Sequence, residues 1–231
     1  RVRLGCYWWW AFRSAFWGNA HIVFLNGLLG LFLCLAFAQP SLADRLWATP
    51  AQVEGPYYPA VEPKEKDWNL IKTAQGNNEL ADGIPLQLEG KILDHNGVPI
   101  VGATIEIWQS DNNGIYKHPK APRTDRFDQR FQGFGAVETN SDGYYRFLTI
   151  MPASEQKRPP HIHVKIFRNN REALTTQLYL KDHPENNRDG IMSLMLYPGQ
   201  QKLLIDPENA TLENGINGRK AWFDFIVAKN F

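Results

Sequence analysis

Residues 158–167 read Arg-Pro-Pro-His-Ile-His-Val-Lys-Ile-Phe, and within them two histidines begin a largely apolar, β-branched run. Side chains at positions i and i+2 of an extended strand share a face, so both imidazoles could reach one metal ion. Arg158, just upstream, adds a positive charge that suits an anionic substrate. The residues alone leave two interpretations open: a metal site, or a strand in which one histidine is bonded internally and the other is solvated.

The first 43 residues differ from the rest. They contain three arginines and no acidic residue, an apolar run over residues 22–38, and Ser41-Leu42-Ala43 at the end. This order is typical of a secretory signal peptide, so we predict a secreted or periplasmic protein that is cleaved after Ala43, with Ala38 as the alternative site. Competing interpretations are a membrane anchor formed by an uncleaved leader, and an over-extended gene model at the start of the chain.

The composition indicates a folded domain, with no sign of nucleic acid binding and no disulfide expected in the mature protein. A chain of 231 residues, 43% hydrophobic and 21% charged, is large enough for one domain with a substantial core. Beyond the leader it holds 22 basic and 24 acidic residues, a formal charge of −2, and no basic patch that would indicate nucleic acid binding. Both cysteines, Cys6 and Cys34, lie in the leader, so we expect no disulfide in the mature protein.

Short strands separated by turn residues predict an all-β fold. Residues 44–85 show no sustained period and predict an extended N-terminal arm, and residues 86–231 predict a β-sandwich domain of about eight strands. One helical stretch is expected near residues 200–204. Strands are expected at residues 86–92, 103–108, 144–150, 161–167, 174–180 and 222–227.

A metal site needs donors beyond two histidines. Phe167 and Arg168 stand where a cupin-type glutamate ligand would be, although an acidic residue from elsewhere in the chain stays open. Tyr116 follows the Asn113-Gly114 turn, and a phenolate is a hard donor that favours Fe(III). The other interpretation of Tyr116 is a turn aromatic with its hydroxyl in water.

Several motifs, in order along the chain, resemble the intradiol ring-cleavage dioxygenases. The likeness covers roughly residues 54–227 and is stronger to the protocatechuate 3,4-dioxygenase type, because the catechol 1,2-dioxygenase type carries a long helical N-terminal region. The motifs are Glu54-Gly55-Pro56-Tyr57-Tyr58-Pro59, Gly102-Ala103, Ile107-Trp108, Gly114-Ile115-Tyr116, Ser141-Asp142-Gly143-Tyr144-Tyr145, Arg158-Pro159-Pro160-His161-Ile162-His163 and Thr176-Gln177-Leu178-Tyr179.

This resemblance implies a mononuclear, non-haem Fe(III) ion held by Tyr116, His161 and His163. It implies that Arg158 stabilises negative charge on a catecholic substrate and that Gln177 is a hydrogen-bonding partner nearby. The implied reaction incorporates both atoms of O₂ and opens the ring between its two oxygenated carbons, giving a cis,cis-muconate type product. The sequence does not identify the preferred catechol, and it leaves open whether the protein forms a homo-oligomer.

One element of the family pattern is missing. A second, axial tyrosine normally precedes the arginine, but residues 153–157 read Ala-Ser-Glu-Gln-Lys. Candidates for that position are Glu155, water or hydroxide, or a tyrosine from elsewhere, such as Tyr57, Tyr58 or Tyr145. The residues do not rank them.

Two alternatives to the enzyme stay open. Residues 97–103 and 139–147 are also typical of non-catalytic transthyretin-like or carboxypeptidase-regulatory-like binding modules, although such a module has no need of the residues that the resemblance assigns to the site. The second alternative is an iron-binding member with little turnover, because the axial tyrosine is missing.

The remaining basic residues are expected to be solvated. His95, His118 and His183 lie in predicted loops, although His118 is close enough to Tyr116 in sequence that contact with a substrate stays open. We also expect the side chains of Lys117, Lys120 and Arg123 to be exposed to solvent, although these three could attract a substrate carboxylate.

Overall fold

Ten strands in two sheets form the framework of the computed structural model, which describes residues 45–77, 79–155, 158–193 and 199–228. The predicted leader, residues 1–43, lies outside the described residues. The strands are β1 Pro85–Leu93, β2 Thr104–Trp108, β3 Phe134–Glu138, β4 Tyr144–Ile150, β5 His161–Arg168, β6 Arg171–Leu180, β7 Leu204–Ile205, β8 Glu208–Thr211, β9 Asn217–Trp222 and β10 Phe225–Ile226.

The strand order confirms the predicted all-β sandwich. One sheet has the order β10-β1-β9-β8, with β4 pairing antiparallel to β1, and the other has the order β3-β2-β5-β6-β7. The count exceeds the expected eight because short strands that the sequence did not indicate, such as β7 and β8, complete the sheet edges. The strand expected at residues 222–227 is divided between the end of β9 and all of β10.

Helices are few and short in the described residues. A four-residue α-helix, α1, covers Gly190–Ser193. The helical stretch expected near residues 200–204 is a 3₁₀ helix at Gln200–Leu203. The other 3₁₀ helices are Thr124–Arg126, Asn186–Arg188 and Glu213–Gly215. No helix among the described residues is long and apolar enough to cross a membrane.

The hydrophobic core lies between the sheets. On β5, Ile162, Val164 and Ile166 are fully buried in it, because alternate side chains of a strand point to the same face. Leu88 of β1 and Phe147 of β4 contribute from the other sheet. Burying side chains of this size stabilises the fold by about 1.5–3 kcal/mol each.

Residues 50–66 run over the second sheet without forming a named strand, whereas residues 68–70 pair with Leu148 of β4 in the first sheet. The backbone N–H of Gln52 donates to the carbonyl of Thr175 in β6 at 2.9 Å. Further along, the Tyr58 ring packs edge-on against Trp108 of β2 at 5.0 Å between centroids, and its hydroxyl donates to Glu106 at 2.7 Å. Residues 50–66 therefore cover the face of this sheet that points away from the core.

Candidate metal centre and its surroundings

The two histidines of β5 lie on the face that points away from the core. Strand register places Trp108 of β2 and Gln177 of β6 on either side of His163, and Tyr179 of β6 opposite His161. Cross-strand partners share a face, so these side chains surround the imidazoles. The site is therefore built on three adjacent strands and shielded by residues 52–58.

Tyr116 brings a third donor to the two imidazoles. Its hydroxyl oxygen lies 3.0 Å from Nε2 of His163 and 3.3 Å from Nε2 of His161, and the two Nε2 atoms are 3.2 Å apart. All three side chains are at most 4% exposed. The phenol proposed from the resemblance and the H-x-H pair thus form one buried triangle of oxygen and nitrogen donors.

A rigid turn after β2 positions Tyr116. The Asp111 carboxylate accepts hydrogen bonds from the backbone N–H groups of Asn113 and Ile115, at 2.9 and 3.0 Å. Gly114 has a φ of +72°, a conformation that suits glycine. Aspartate bonds of this kind stabilise tight turns, so the turn directs the next side chain, Tyr116, inward.

Both imidazoles are neutral and present Nε2 to the cluster. Nδ1 of His161 lies 2.7 Å from the Pro159 carbonyl, which can only accept, so Nδ1 carries the hydrogen and Nε2 keeps its lone pair. The ring of His163 stacks on Trp108 with centroids 4.7 Å apart. Burial lowers the pKa of His161 to about 4, with help from the charge of Arg158. Burial also holds the pKa of His163 well below its ordinary value.

Arg158 supplies a fixed positive charge beside the cluster. Its Nη1 is 3.1 Å from Nε2 of His161, and its other nitrogens form a two-point ion pair with Asp189 at 3.1 and 3.0 Å. Nη2 also donates to Oε1 of Gln177 at 2.8 Å and to the Tyr179 hydroxyl at 3.0 Å. Burial opposes the charge, but Asp189 outweighs it and raises the pKa of Arg158.

A fourth ionisable group, Glu155, lies at the cluster. Its side chain is 7% exposed and interacts with the Tyr116 hydroxyl. Burial, and next the charge of Glu155, hold the pKa of Tyr116 well above its ordinary value. Burial likewise raises the pKa of Glu155, against the opposing influence of Tyr116 and Arg158. Without a cation, the phenol is therefore protonated.

A cavity of about 510 Å³ opens beside Tyr116. Its walls are mainly apolar and aromatic, with Lys64 and Lys117 among the few charged residues. Cavities of this size and lining are typical of small-molecule sites. Other lining residues are Tyr57, Pro59, Val61, Trp108, His118, Gln132 and Phe134.

The triangle fits a metal ion. Two ligands that each lie about 2.1 Å from a metal are about 3.0–3.4 Å apart in octahedral or tetrahedral geometry, the range observed between Tyr116, His161 and His163. The donor set is also apt, because neutral imidazoles and a phenolate bind ferric iron. In the described part of the chain, no group of three His, Cys, Asp or Glu side chains is arranged to hold a metal, so the site depends on the tyrosine.

All five residues predicted for the site come together. Tyr116, His161, His163 and Arg158 meet directly, and Gln177 reaches them through Arg158. The amide of Gln177 is fully engaged, because its nitrogen donates to the Val53 carbonyl at 2.9 Å and its oxygen accepts from Arg158. Gln177 therefore contacts the Arg158 guanidinium and helps to hold its orientation.

Among the other histidines, the prediction for His118 was wrong. It is 4% exposed rather than solvated, because the Tyr57 ring lies against it at 5.8 Å between centroids.

Sequence reasoning did not identify Trp108, Tyr179 or Asp189 as parts of the site. Trp108 and Tyr179 lie within the motifs that carry the family resemblance. Knowledge of the strands that pair with His161 and His163 would have placed both side chains on the same sheet face as the histidines. Asp189 lies in a segment with no periodic pattern, and only the folded chain brings it to Arg158.

The β-sandwich carries a buried Tyr-His-His cluster on its outer face. The class of protein is a dioxygenase-type domain, because a family model described as Dioxygenase matches residues 53–229 of the chain. The chain belongs to the intradiol ring-cleavage dioxygenase family.

Relatives from both branches of the family are similar to it. The protocatechuate 3,4-dioxygenase beta chain of Burkholderia cepacia is 33% identical over 137 residues, covering 56% of this chain and 58% of the relative. Catechol 1,2-dioxygenase 1 of Acinetobacter lwoffii is 31% identical over 156 residues, covering 59% and 47%. The chain therefore spans about half the length of the curated relatives that it matches.

Solved structures share the fold. The dioxygenase domain of a dioxygenase carbohydrate-binding protein fusion from Streptomyces sp. SirexAA-E superposes with a TM-score of 0.59 at 30% identity, covering 79% of this chain and 99% of that one. An intradiol ring-cleavage dioxygenase from Tetranychus urticae gives a TM-score of 0.63 at 24% identity, covering 80% and 97%, and supports the fold alone.

Proposed function

We propose that this protein is a non-haem Fe(III) intradiol dioxygenase that cleaves a catecholic ring with O₂ between its two oxygenated carbons, giving a cis,cis-muconate type product. The observation that carries the proposal is the buried triangle of Tyr116, His161 and His163 with the Arg158 guanidinium against it. Family membership supports the same chemistry.

The protein groups prepare the site in three ways. His161 and His163 are neutral, so their lone pairs are available without loss of a proton. Tyr116 and these imidazoles would hold a ferric ion, which would supply Lewis acidity that favours the deprotonated catechol. Arg158, locked by Asp189, stabilises negative charge that develops on the ring.

The cavity beside Tyr116 is the proposed entrance for the aromatic substrate. Aromatic and apolar walls suit a planar ring and exclude water, which strengthens the electrostatic effect of Arg158. The side chain of Lys117 lines this cavity and is exposed, so it is available to attract a carboxylate on a substituted catechol.

The test uses protein reconstituted with ferric iron. We expect a visible tyrosinate-to-iron charge-transfer band, loss of that band in His161→Ala, and oxygen uptake with catechol, protocatechuate or a substituted catechol. Colourless protein that takes up no iron would contradict the proposal.

A second candidate is an iron-binding member with little turnover. The absence of tyrosine from residues 153–157 favours it. Tight iron binding without oxygen uptake on any catechol would support this candidate over the first.

We also propose that the protein is exported, from the leader pattern of residues 1–43. N-terminal sequencing of protein from the culture medium or periplasm tests this, and a mature chain that begins after Ala43 or Ala38 is expected.

A further inference from the structure

Glu155 carries a buried carboxylate oxygen that the protein does not satisfy. Its side chain is 7% exposed, and Oε2 has no hydrogen-bond partner among the described residues. Leaving such an oxygen buried without a partner is costly, and in proteins a bound water or ion commonly satisfies it. The position of the carboxylate therefore calls for a cation or donor that the polypeptide does not provide.

The carboxylate is next to the three metal donors. The Cα of Glu155 lies 3.5 Å from where a Cβ of Gly114 would be, two residues before Tyr116, and its backbone partner Arg158 places Nη1 3.1 Å from Nε2 of His161. The carboxylate does not combine with the two imidazoles into a preformed His-carboxylate site.

The fold holds Glu155 in place from two sides. Its backbone pairs with that of Arg158, with Glu155 N–H to Arg158 O at 3.2 Å and Arg158 N–H to Glu155 O at 2.7 Å. Residues paired in this way share a face, so Glu155 is directed toward the side on which Arg158 meets His161. On the other side, a Cβ at Gly114 would lie 2.4 Å from the Ser154 carbonyl oxygen, so only glycine allows this approach.

Two tyrosines that could have completed the donor set are engaged elsewhere. The Tyr58 hydroxyl donates to Glu106 at 2.7 Å, and the Tyr145 hydroxyl donates to the Phe223 carbonyl at 2.7 Å. The Tyr57 ring packs against the Tyr116 ring, with centroids 4.6 Å apart.

We propose that Glu155 supplies a carboxylate oxygen to the metal as a fourth protein ligand, beside Tyr116, His161 and His163. This inference rests on the proposed ferric site. A carboxylate is a hard oxygen donor, as ferric iron prefers, and with the Tyr116 phenolate it offsets two of the three positive charges of the ion. The bound ion in turn supplies the partner that Oε2 lacks.

The first test compares Glu155→Gln with the matched control Glu185→Gln. Glu185 accepts a hydrogen bond from Ser154 at 2.6 Å, so the control removes an equal charge close by but outside the cluster. We expect Glu155→Gln to raise the ferric dissociation constant, measured by chelator competition, at least about tenfold and to alter the high-spin ferric EPR spectrum. The control should stay within about twofold.

The outcomes separate this inference from the proposed function. If the unmodified protein takes up no iron, the proposed function fails. If it binds iron, and Glu155→Gln binds it equally with the same EPR spectrum, the ligand assignment alone is overturned.

A second test remains available if Glu155→Gln does not fold. Glu155→Cys, loaded with Co²⁺, should show an intense thiolate-to-cobalt charge-transfer band, because a thiolate gives this band only as a ligand. Ser154→Cys and the unmodified chain should lack it. No extra band in Glu155→Cys relative to these controls would overturn the assignment.

Discussion

The hydroxyl oxygen of Tyr116 lies 3.0 Å from Nε2 of His163, although 47 residues separate the two along the chain. The turn that Asp111 stabilises positions the Tyr116 phenol. Side chains alternate between the two faces of β5, and this alternation places the His163 imidazole on the same side. Their contact makes a two-histidine strand into a three-donor site.

Replacing Tyr116 by phenylalanine should remove the visible band of the iron-loaded protein. The band arises from the phenolate, so it should vanish while His161 and His163 retain iron with an affinity lowered by about 10–100-fold. Absorption spectra and iron titrations measure the two effects. Tyr144→Phe is the control, because that hydroxyl bonds to Glu89 on the other sheet. A band that survives in Tyr116→Phe would show that another tyrosine is the ligand.

Arg158 should act on the rate of turnover rather than on iron binding. Arg158→Gln should lower kcat/KM by about 10²–10³, as expected when a group that stabilises developing charge is lost. Asp189→Asn removes the ion pair that holds the guanidinium and should cost about tenfold, mainly in kcat. Arg171→Gln, at the exposed start of β6, is the matched control. Equal losses in all three variants would mean that the effect is non-specific.

Strand alternation accounts for how much of this site could be predicted from sequence. Polar and apolar residues alternate from His161 to Ile166, so both the strand and the shared face of its two histidines could be predicted. Tyr116 could not be assigned from spacing, because a tyrosine after a turn is ordinarily solvated. Its motif, through the family resemblance, singled it out.

Other features depend on contacts that no local pattern encodes. β3, at Phe134–Glu138, is short and contains Gly135, so it was not predicted and exists through pairing with β2. Asp189 reaches Arg158 only after the chain has passed through β6. His118 was expected in water because it lies in a predicted loop, but Tyr57 covers it.

Gly114 should be the least replaceable glycine near the site. Gly114→Ala places a Cβ 2.4 Å from the Ser154 carbonyl oxygen and imposes a φ of +72°, so both steric contact and backbone strain oppose it. Gly102→Ala is the control, because its φ is +68° but its Cβ would meet open space. We expect about 1 kcal/mol for Gly102→Ala and at least about 2 kcal/mol more for Gly114→Ala. Urea denaturation measures both, and equal losses would contradict the close approach.

Acid should destabilise the metal-free protein through its buried histidines. The pKa of His161 is lowered to about 4 in the native state, from the ordinary value near 6.5, so between these pH values only the unfolded chain takes up the proton. The contribution of neutral His161 to the free energy of unfolding is therefore fully present above about pH 6.5. It decreases as the pH falls toward 4, by about 3 kcal/mol for His161 alone. His163, whose pKa is also lowered, acts in the same direction.

Urea unfolding of the metal-free protein at several pH values between 7 and 4 tests this dependence on His161. His161→Gln cannot titrate, so its unfolding free energy should fall less steeply with acid than that of the unmodified chain. His95→Gln serves as the control and should keep the full slope. The His95 ring bonds to the Leu46 carbonyl at 2.9 Å, and His95 is far from the cluster in sequence. An identical slope in all three proteins would mean that carboxylates, and not the buried imidazoles, set the acid sensitivity.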